Sequence, residues 1–192
     1  MTLTLTNKKI ILGSKSPRRN ELLAGLGFEF TIKTKDTDES YPNHLDPNEV
    51  PVYIANNKAL ALIEDLSNEE IVICADTVVI VETEILGKPT DYEDCVRMLK
   101  LLSSKTHKVT TGVVIASYSK TKSFSVTTEV TFKELSNEEI EYYLNNYKPY
   151  DKAGGYGIQE WIGYIGVTEL KGSYFNVVGL PTAELFEELM KF

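Results

Sequence analysis

A chain of 192 residues with 20 basic and 28 acidic side chains carries a formal charge of −8. That balance argues against a protein that lives on bare nucleic acid or on an anionic membrane, since both call for a basic surface. With 42% hydrophobic residues and only 7 prolines the chain lacks a disordered composition, and at this length roughly 70% of the unfolded surface can leave water on folding. The first residues, Met1-Thr2-Leu3-Thr4-Leu5-Thr6, alternate and have no basic start followed by an apolar run, so they do not read as a signal peptide. No stretch approaches ~18 continuous apolar residues, the length a membrane span needs. Two isolated cysteines, Cys74 and Cys95, make a poor disulfide framework and no zinc site. They point to buried thiols in a reducing, cytoplasmic setting.

In chain order, Lys9 to Gly13 predicts a short apolar strand. Ser16-Pro17 opens a helix with Ser as N-cap and Pro in the first turn. Leu22, Leu23 and Leu26 give that helix its apolar stripe, and Gly25 and Gly27 mark its end. A strand is expected over Phe28 to Lys33, then a polar, acidic loop to about Asn48, then a helix from about Glu49 to Leu66 with Pro51 in its first turn. Ile71 to Asp76 and Val78 to Glu82 are β-rich, with a turn at Thr83-Glu84. Thr90-Asp91-Tyr92-Glu93 matches a capping box that starts a helix carrying Val96, Leu99 and Leu102. Two longer strands follow, Val109 to Tyr118 and Lys122 to Phe132. The second alternates Phe124, Val126, Thr128, Val130 and Phe132 on one face. A capped helix covers Ser136 to Asn146, and the last 45 residues hold a glycine-rich segment and a terminal helix from Thr182. The hexapeptide Leu-Ser-Asn-Glu-Glu-Ile occurs at 66–71 and at 135–140; its box signal is expected to be real only at the second copy. The pattern predicts an α/β protein, a mixed sheet flanked by helices, forming one domain over residues 1–192 with an extra lobe.

Several segments could carry chemistry. Gly13-Ser14-Lys15-Ser16-Pro17-Arg18-Arg19 lies between a strand and a helix start, where free N–H groups and the helix dipole favour an anion. Ser14 and Ser16 can donate hydroxyl hydrogen bonds, and Arg18 and Arg19 can fork onto phosphate oxygens. A capped surface helix with solvated arginines is the plainer alternative, and the spacing is not that of a P-loop. Asp76, at the end of an apolar strand, can take a proton from water, help hold a metal or simply turn the chain. Lys88, between Gly87 and Pro89, could aim an ammonium at a phosphate. Lys58, on a helix, reads as a solvated charge. The acidic run Asp36-Thr37-Asp38-Glu39 could give a carboxylate to Mg²⁺. Gln159 closes the glycine-rich run Asp151 to Gln159 and could read a base edge. Trp161 and the tyrosines among 142–164 read as core or dimer contacts, and His44 and His107 have no metal-like partner spacing.

Together these residues resemble the Maf family, nucleoside triphosphate pyrophosphatases once described as septum-formation inhibitors. The matching blocks are Ser14 to Arg19, Ala75 to Val79, Leu86 to Pro89, His107 to Val113, Asp151 to Gln159 and Asn176 to Pro181, in the family order. The resemblance implies an inosine-triphosphatase-like (Maf/Ham1) α/β fold, a cleft between two lobes, a homodimer, and hydrolysis of a nucleoside triphosphate to monophosphate and pyrophosphate with Mg²⁺ or Mn²⁺. By the same resemblance Asp76 is the general base and Glu39 and Lys88 are catalytic, with Glu39 and Asp76 on the metal. Ser14, Ser16, Arg18, Arg19 and Lys58 bind substrate, and Arg18, Thr77 and Gln159 stand where the branch acting on dTTP and UTP has its selectivity residues. A non-catalytic regulator of cell division and a nucleotidyltransferase are the alternatives. Two departures stand out. Gln159 is followed by Glu160 where the family commonly has Gly, a carboxylate that either alters base preference or points outward. Gly13 replaces the more usual alanine, a change expected to be harmless.

Overall fold

In a computed structural model that describes residues 8–192, the alternating stretch 1–6 lies outside the described residues. The elements run β1 (Lys9–Leu12), α1 (Pro17–Gly25), β2 (Phe30–Ile32), α2 (Val50–Ile63), β3 (Glu70–Val81), β4 (Glu84–Leu86), α3 (Tyr92–Leu102) and β5 (Thr106–Ala116). They continue with β6 (Thr121–Phe132), α4 (Asn137–Tyr147), a 3₁₀ turn (Ala153–Gly155), α5 (Trp161–Gly166), β7 (Val167–Lys171), α6 (Tyr174–Val178) and α7 (Thr182–Lys191). The strands form the expected mixed sheet in the order β2-β1-β3-β5-β6-β7, with β4 on β3. β1 runs parallel to both β2 and β3, whereas β4 on β3 and β7 on β6 are antiparallel.

The chain divides into two compact units. The first comprises Met1–Asp76, Thr111–Val126 and Gly179–Phe192, and the second Thr77–Thr110 and Thr127–Val178. In the first unit, successive strand residues feed two separate cores, because strand side chains alternate faces. Ile10, Leu12, Ile71, Ile73, Val113 and Ile115 pack with Leu23 of α1 and Leu185 and Leu189 of α7. Ile11, Val72, Cys74, Val114 and Ala116 pack with Ala55, Ala59 and Leu62 of α2. The result is a helix–sheet–helix sandwich. In the second unit one core gathers Val79, Val81, Leu99, Leu102, Val130, Phe132, Ile140, Tyr143, Tyr156 and Ile162. Tyr143 and Tyr156 are core residues as expected, while Tyr142 and Tyr164 are exposed.

Three readings change. The two β-rich stretches between 71 and 82 are one continuous strand, with the chain reversing at Glu82-Thr83 into the unpredicted β4. Asp91, not Thr90, caps α3: its carboxylate accepts from Asp94 N at 2.8 Å, so the capping frame sits one residue later. The region after 150 contains α5, β7 and α6, none of which the sequence pattern announced. The hexapeptide behaves as expected. At 135–140 it opens α4 with a full capping box, and at 66–71 it is a turn running into β3. Even in the turn, Ser67 N donates to the Glu70 carboxylate at 2.8 Å, half of the same motif without a helix.

Candidate active site

Parallel pairing of β1 and β3, with Leu12 opposite Ile73, brings the Gly13–Ser16 segment beyond the carboxyl end of β1 beside Ala75-Asp76, which lie midway along the continuous β3 and not, as expected, at a strand end. Carboxyl ends of parallel strands are where α/β folds present ligands. Ser16 caps α1, accepting from Arg19 N at 3.4 Å, and its own N–H donates to Ser14 Oγ at 3.2 Å. The helix start therefore closes on itself in a tight polar turn.

Arg19 spans this turn. Its Nη1 donates to Ala75 O at 2.8 Å and reaches Ser14 Oγ at 3.5 Å, and its Nε donates to Gly179 O at 2.8 Å. The guanidinium expected to fork onto a ligand also acts as a brace, fixing the residue just before Asp76 to the first turn of α1. Burial pulls its pKa down, while the negative charges of Asp76 and Glu39 act in the opposite sense; an arginine stays cationic under such influences. Arg18, the next residue back, is only partly exposed and adds positive charge to the same helix start.

Lys58 of α2 departs most from its reading. Instead of a solvated charge it is largely buried, its Nζ 2.8 Å from Asp76 Oδ1 and 2.7 Å from Glu39 Oε1. α2 delivers this ammonium because the neighbouring stripe of the helix, Ala55, Ala59 and Leu62, is locked into the core, which leaves Lys58 at its margin. The acidic loop delivers Glu39 from the other side, with Asp36 tied to Lys15 at 2.9 Å. Two carboxylates gathered round one cation have the donor chemistry of a hard divalent ion site, which takes oxygen ligands. Among the described residues no cluster of three or more His, Cys, Asp or Glu side chains forms a metal site.

The first unit therefore brings together Ser14, Ser16, Arg19, Glu39, Lys58 and Asp76, with Arg18 alongside. Thr77, Lys88 and Gln159 belong to the second unit. Thr77 is the next residue on β3 and half-buried. Lys88 is exposed on the turn after β4, and that turn is pinned to the glycine-rich segment where Gly154 N donates to Gly87 O at 2.9 Å. Gln159 is the third residue of a β-turn closed by Glu160 N donating to Gly157 O at 3.0 Å.

Sequence reasoning missed the surroundings of that turn. Glu160 neither points outward nor lies idle: its carboxylate accepts from the Tyr143 hydroxyl and pairs with Lys152 Nζ at 3.0 Å. Only the departure from glycine at 160 marked it. Asn176 was matched as part of a block and is structural, its buried Nδ2 donating to Val109 O at 2.9 Å and Thr128 Oγ1 at 3.0 Å. Both thiols are buried and free, with desolvation pushing each up to about 12, so neither is a nucleophile.

These features define an α/β protein whose site suits an anion escorted by a cation. The match to a known family is broader: residues 9–192 fit the model of the Maf-like proteins, and the chain belongs to that family. A relative from Phocaeicola vulgatus, named dTTP/UTP pyrophosphatase, is 52% identical over 192 residues, 100% of both chains. One of the same name from Porphyromonas gingivalis is 52% identical over 98% of this chain and 96% of its own. Among solved structures, that of the Staphylococcus aureus Ham1 protein covers 65% of this chain and 72% of its own at 15% identity, with a TM-score of 0.47.

Proposed function

We propose that the protein hydrolyses nucleoside triphosphates, dTTP and UTP foremost, to the monophosphate and pyrophosphate with the help of a divalent cation. The observation that carries this reading is the Lys58 ammonium shared by Glu39 and Asp76, next to the braced start of α1. It agrees with the name borne by relatives that are about half identical over their full length.

In this reading Asp76 orients a water for in-line attack at the α-phosphorus and accepts its proton. Lys58 holds the Asp76 carboxylate in place. Arg19 fixes Ala75 and hence the position of Asp76, so the base is preorganised rather than gathered on binding. The N–H groups of the first α1 turn, the Ser14 and Ser16 hydroxyls and Arg18 bind phosphate oxygens. Lys88 offsets charge building on the leaving pyrophosphate, while Thr77 and Gln159 face the choice of nucleotide. Glu39 and Asp76 would hold Mg²⁺ or Mn²⁺, which supplies neutralisation of phosphate charge when bound. The protein works on a nucleotide rather than a nucleic acid, in the cytoplasm and as a homodimer.

The test is a panel of canonical and modified triphosphates incubated with Mg²⁺ or Mn²⁺ and no acceptor. Equal yields of monophosphate and pyrophosphate, fastest from dTTP and UTP, are expected. Binding without product would make the protein a regulator, and dependence on an acceptor would make it a nucleotidyltransferase. Preference for a methylated purine would overturn the pyrimidine assignment.

A further inference from the structure

The β-turn Gly157–Glu160 is held at both ends by one buried hydroxyl. Gly157 N donates to Tyr143 OH at 2.9 Å, and the same hydroxyl donates to Glu160 Oε2. Tyr143 is fully buried in α4, and both burial and the Glu160 carboxylate push its pKa up, keeping the phenol protonated as a donor. The other carboxylate oxygen of Glu160 is engaged by Lys152, whose side chain is 10% exposed and whose Nζ also lies 2.8 Å from Asp151 Oδ1. Glu160 occupies the N-cap position of α5 yet makes no side-chain cap bond; the capping role is given up for the inward contact. Gly157 makes room for it, and Gly163 lets α5 close on the turn. A Cβ on Gly157 would lie 2.9 Å from Glu160 Cδ, and one on Gly163 only 1.9 Å from Ile158 O. α5 is thereby pressed against the backbone of the residue before Gln159.

We infer that Tyr143, Glu160 and Lys152 are positioning residues that set the base selectivity of the reaction by fixing the turn that carries Gln159. The inference rests on the reading of Gln159 as the base reader. A carboxamide has a donor end and an acceptor end. Uracil and thymine offer N3–H and a carbonyl at C4, whereas cytosine offers a bare N3 and an amino group there. The carboxamide can turn over about its own last bond, so discrimination depends on the reach and angle at which the backbone presents it to the base edge, and a turn that does not move fixes both. Two side chains, Tyr143 and Lys152, locked onto one turn through charge-assisted contacts with Glu160 supply such a turn.

The experiment measures kcat and KM for UTP and CTP with Mg²⁺ in the full chain and in Gln159→Ala, Tyr143→Phe, Glu160→Gln, Lys152→Met and Lys152→Arg. The expected result is a UTP/CTP ratio of kcat/KM that falls about tenfold in Gln159→Ala and in Tyr143→Phe, through KM for UTP more than through kcat. Combining the two should lower it no further, since both remove one function. Lys152→Arg keeps the ratio and Lys152→Met loses it. If Gln159→Ala collapses the ratio while Tyr143→Phe and Glu160→Gln hold it within about twofold, or if the Tyr143 and Gln159 effects multiply, the inference is wrong. Should Tyr143→Phe fail to fold, Glu160→Gln, which keeps the shape of the side chain, decides alone. A different failure, in which the wild type shows no UTP preference or Gln159→Ala keeps it, overturns the reading of Gln159 and the inference with it.

Discussion

Asp76 carries the sharpest expectation at the scale of single residues. Asp76→Asn keeps the size and hydrogen-bonding shape of the side chain and removes the proposed base, so turnover should fall by about a thousandfold while nucleotide binding, followed by calorimetry, persists. Unchanged turnover would take Asp76 out of the base role. His107 gives a pH-dependent expectation. Its ring is buried between Phe132 and Tyr156, Nε2 is 2.7 Å from Tyr156 OH and Nδ1 has no hydrogen-bond partner among the described residues. Desolvation lowers its pKa from 6.5 to about 4. Between those values the unfolded chain binds the proton and the folded one does not, so stability present above pH 6.5 is lost as the pH falls. The loss from this group between pH 7 and pH 5 is about 2 kcal/mol, and urea titrations of His107→Gln should show a correspondingly flatter pH profile. Gly13 has a structural reason, because a Cβ there would sit 2.4 Å from Cys74 Sγ and 3.0 Å from Leu62 Cδ1. The glycine is matched to the thiol. Gly13→Ala should cost about 1–3 kcal/mol and less when combined with Cys74→Ala, as a double-mutant cycle by denaturation would reveal. That pairing could not be read from the sequence, since the two residues are 61 positions apart. The same holds for Lys58 of α2, whose partners lie on β3 and a distant loop.

Among the elements, legibility followed the source of each one's stability. α1 and α4 were readable because their caps are local: Ser16 and Ser136 bond three residues ahead in the structure, as the pattern implied. β5 and β6 were readable because long β-rich runs have few alternatives. α3 was found but misframed, since Thr90, Asp91 and Asp94 all offer capping oxygens and only the fold selects Asp91. Asp91→Ala should therefore destabilise the protein by about 1 kcal/mol and Thr90→Ala by clearly less, measured as shifts in urea midpoint at constant slope. The segment after 150 was illegible because α5 and α6 span only six and five residues and β7 five. Elements that short have little local propensity to detect. α5 has no side-chain cap and stands on Gly163, Glu160 and the aromatic core of the second unit.

For the whole molecule, charge is the governing quantity. With a net −8, the field of the protein as a whole repels a polyphosphate. In the proposed reaction, binding then comes from the local cations of the α1 start and from the proposed divalent ion. Chelation of divalent ions should abolish turnover almost completely, with recovery on adding back Mg²⁺ or Mn²⁺, as a pyrophosphate-release assay would show. Activity undiminished in chelator would remove the cation from the reaction. The repeated hexapeptide speaks to how the molecule is specified. Leu-Ser-Asn-Glu-Glu-Ile bends into a strand in one unit and winds into a helix in the other. Cut free, the two copies would be one and the same peptide in solution. Transplanting seven downstream residues from one copy to the other, rather than editing the six they share, is what would swap their shapes.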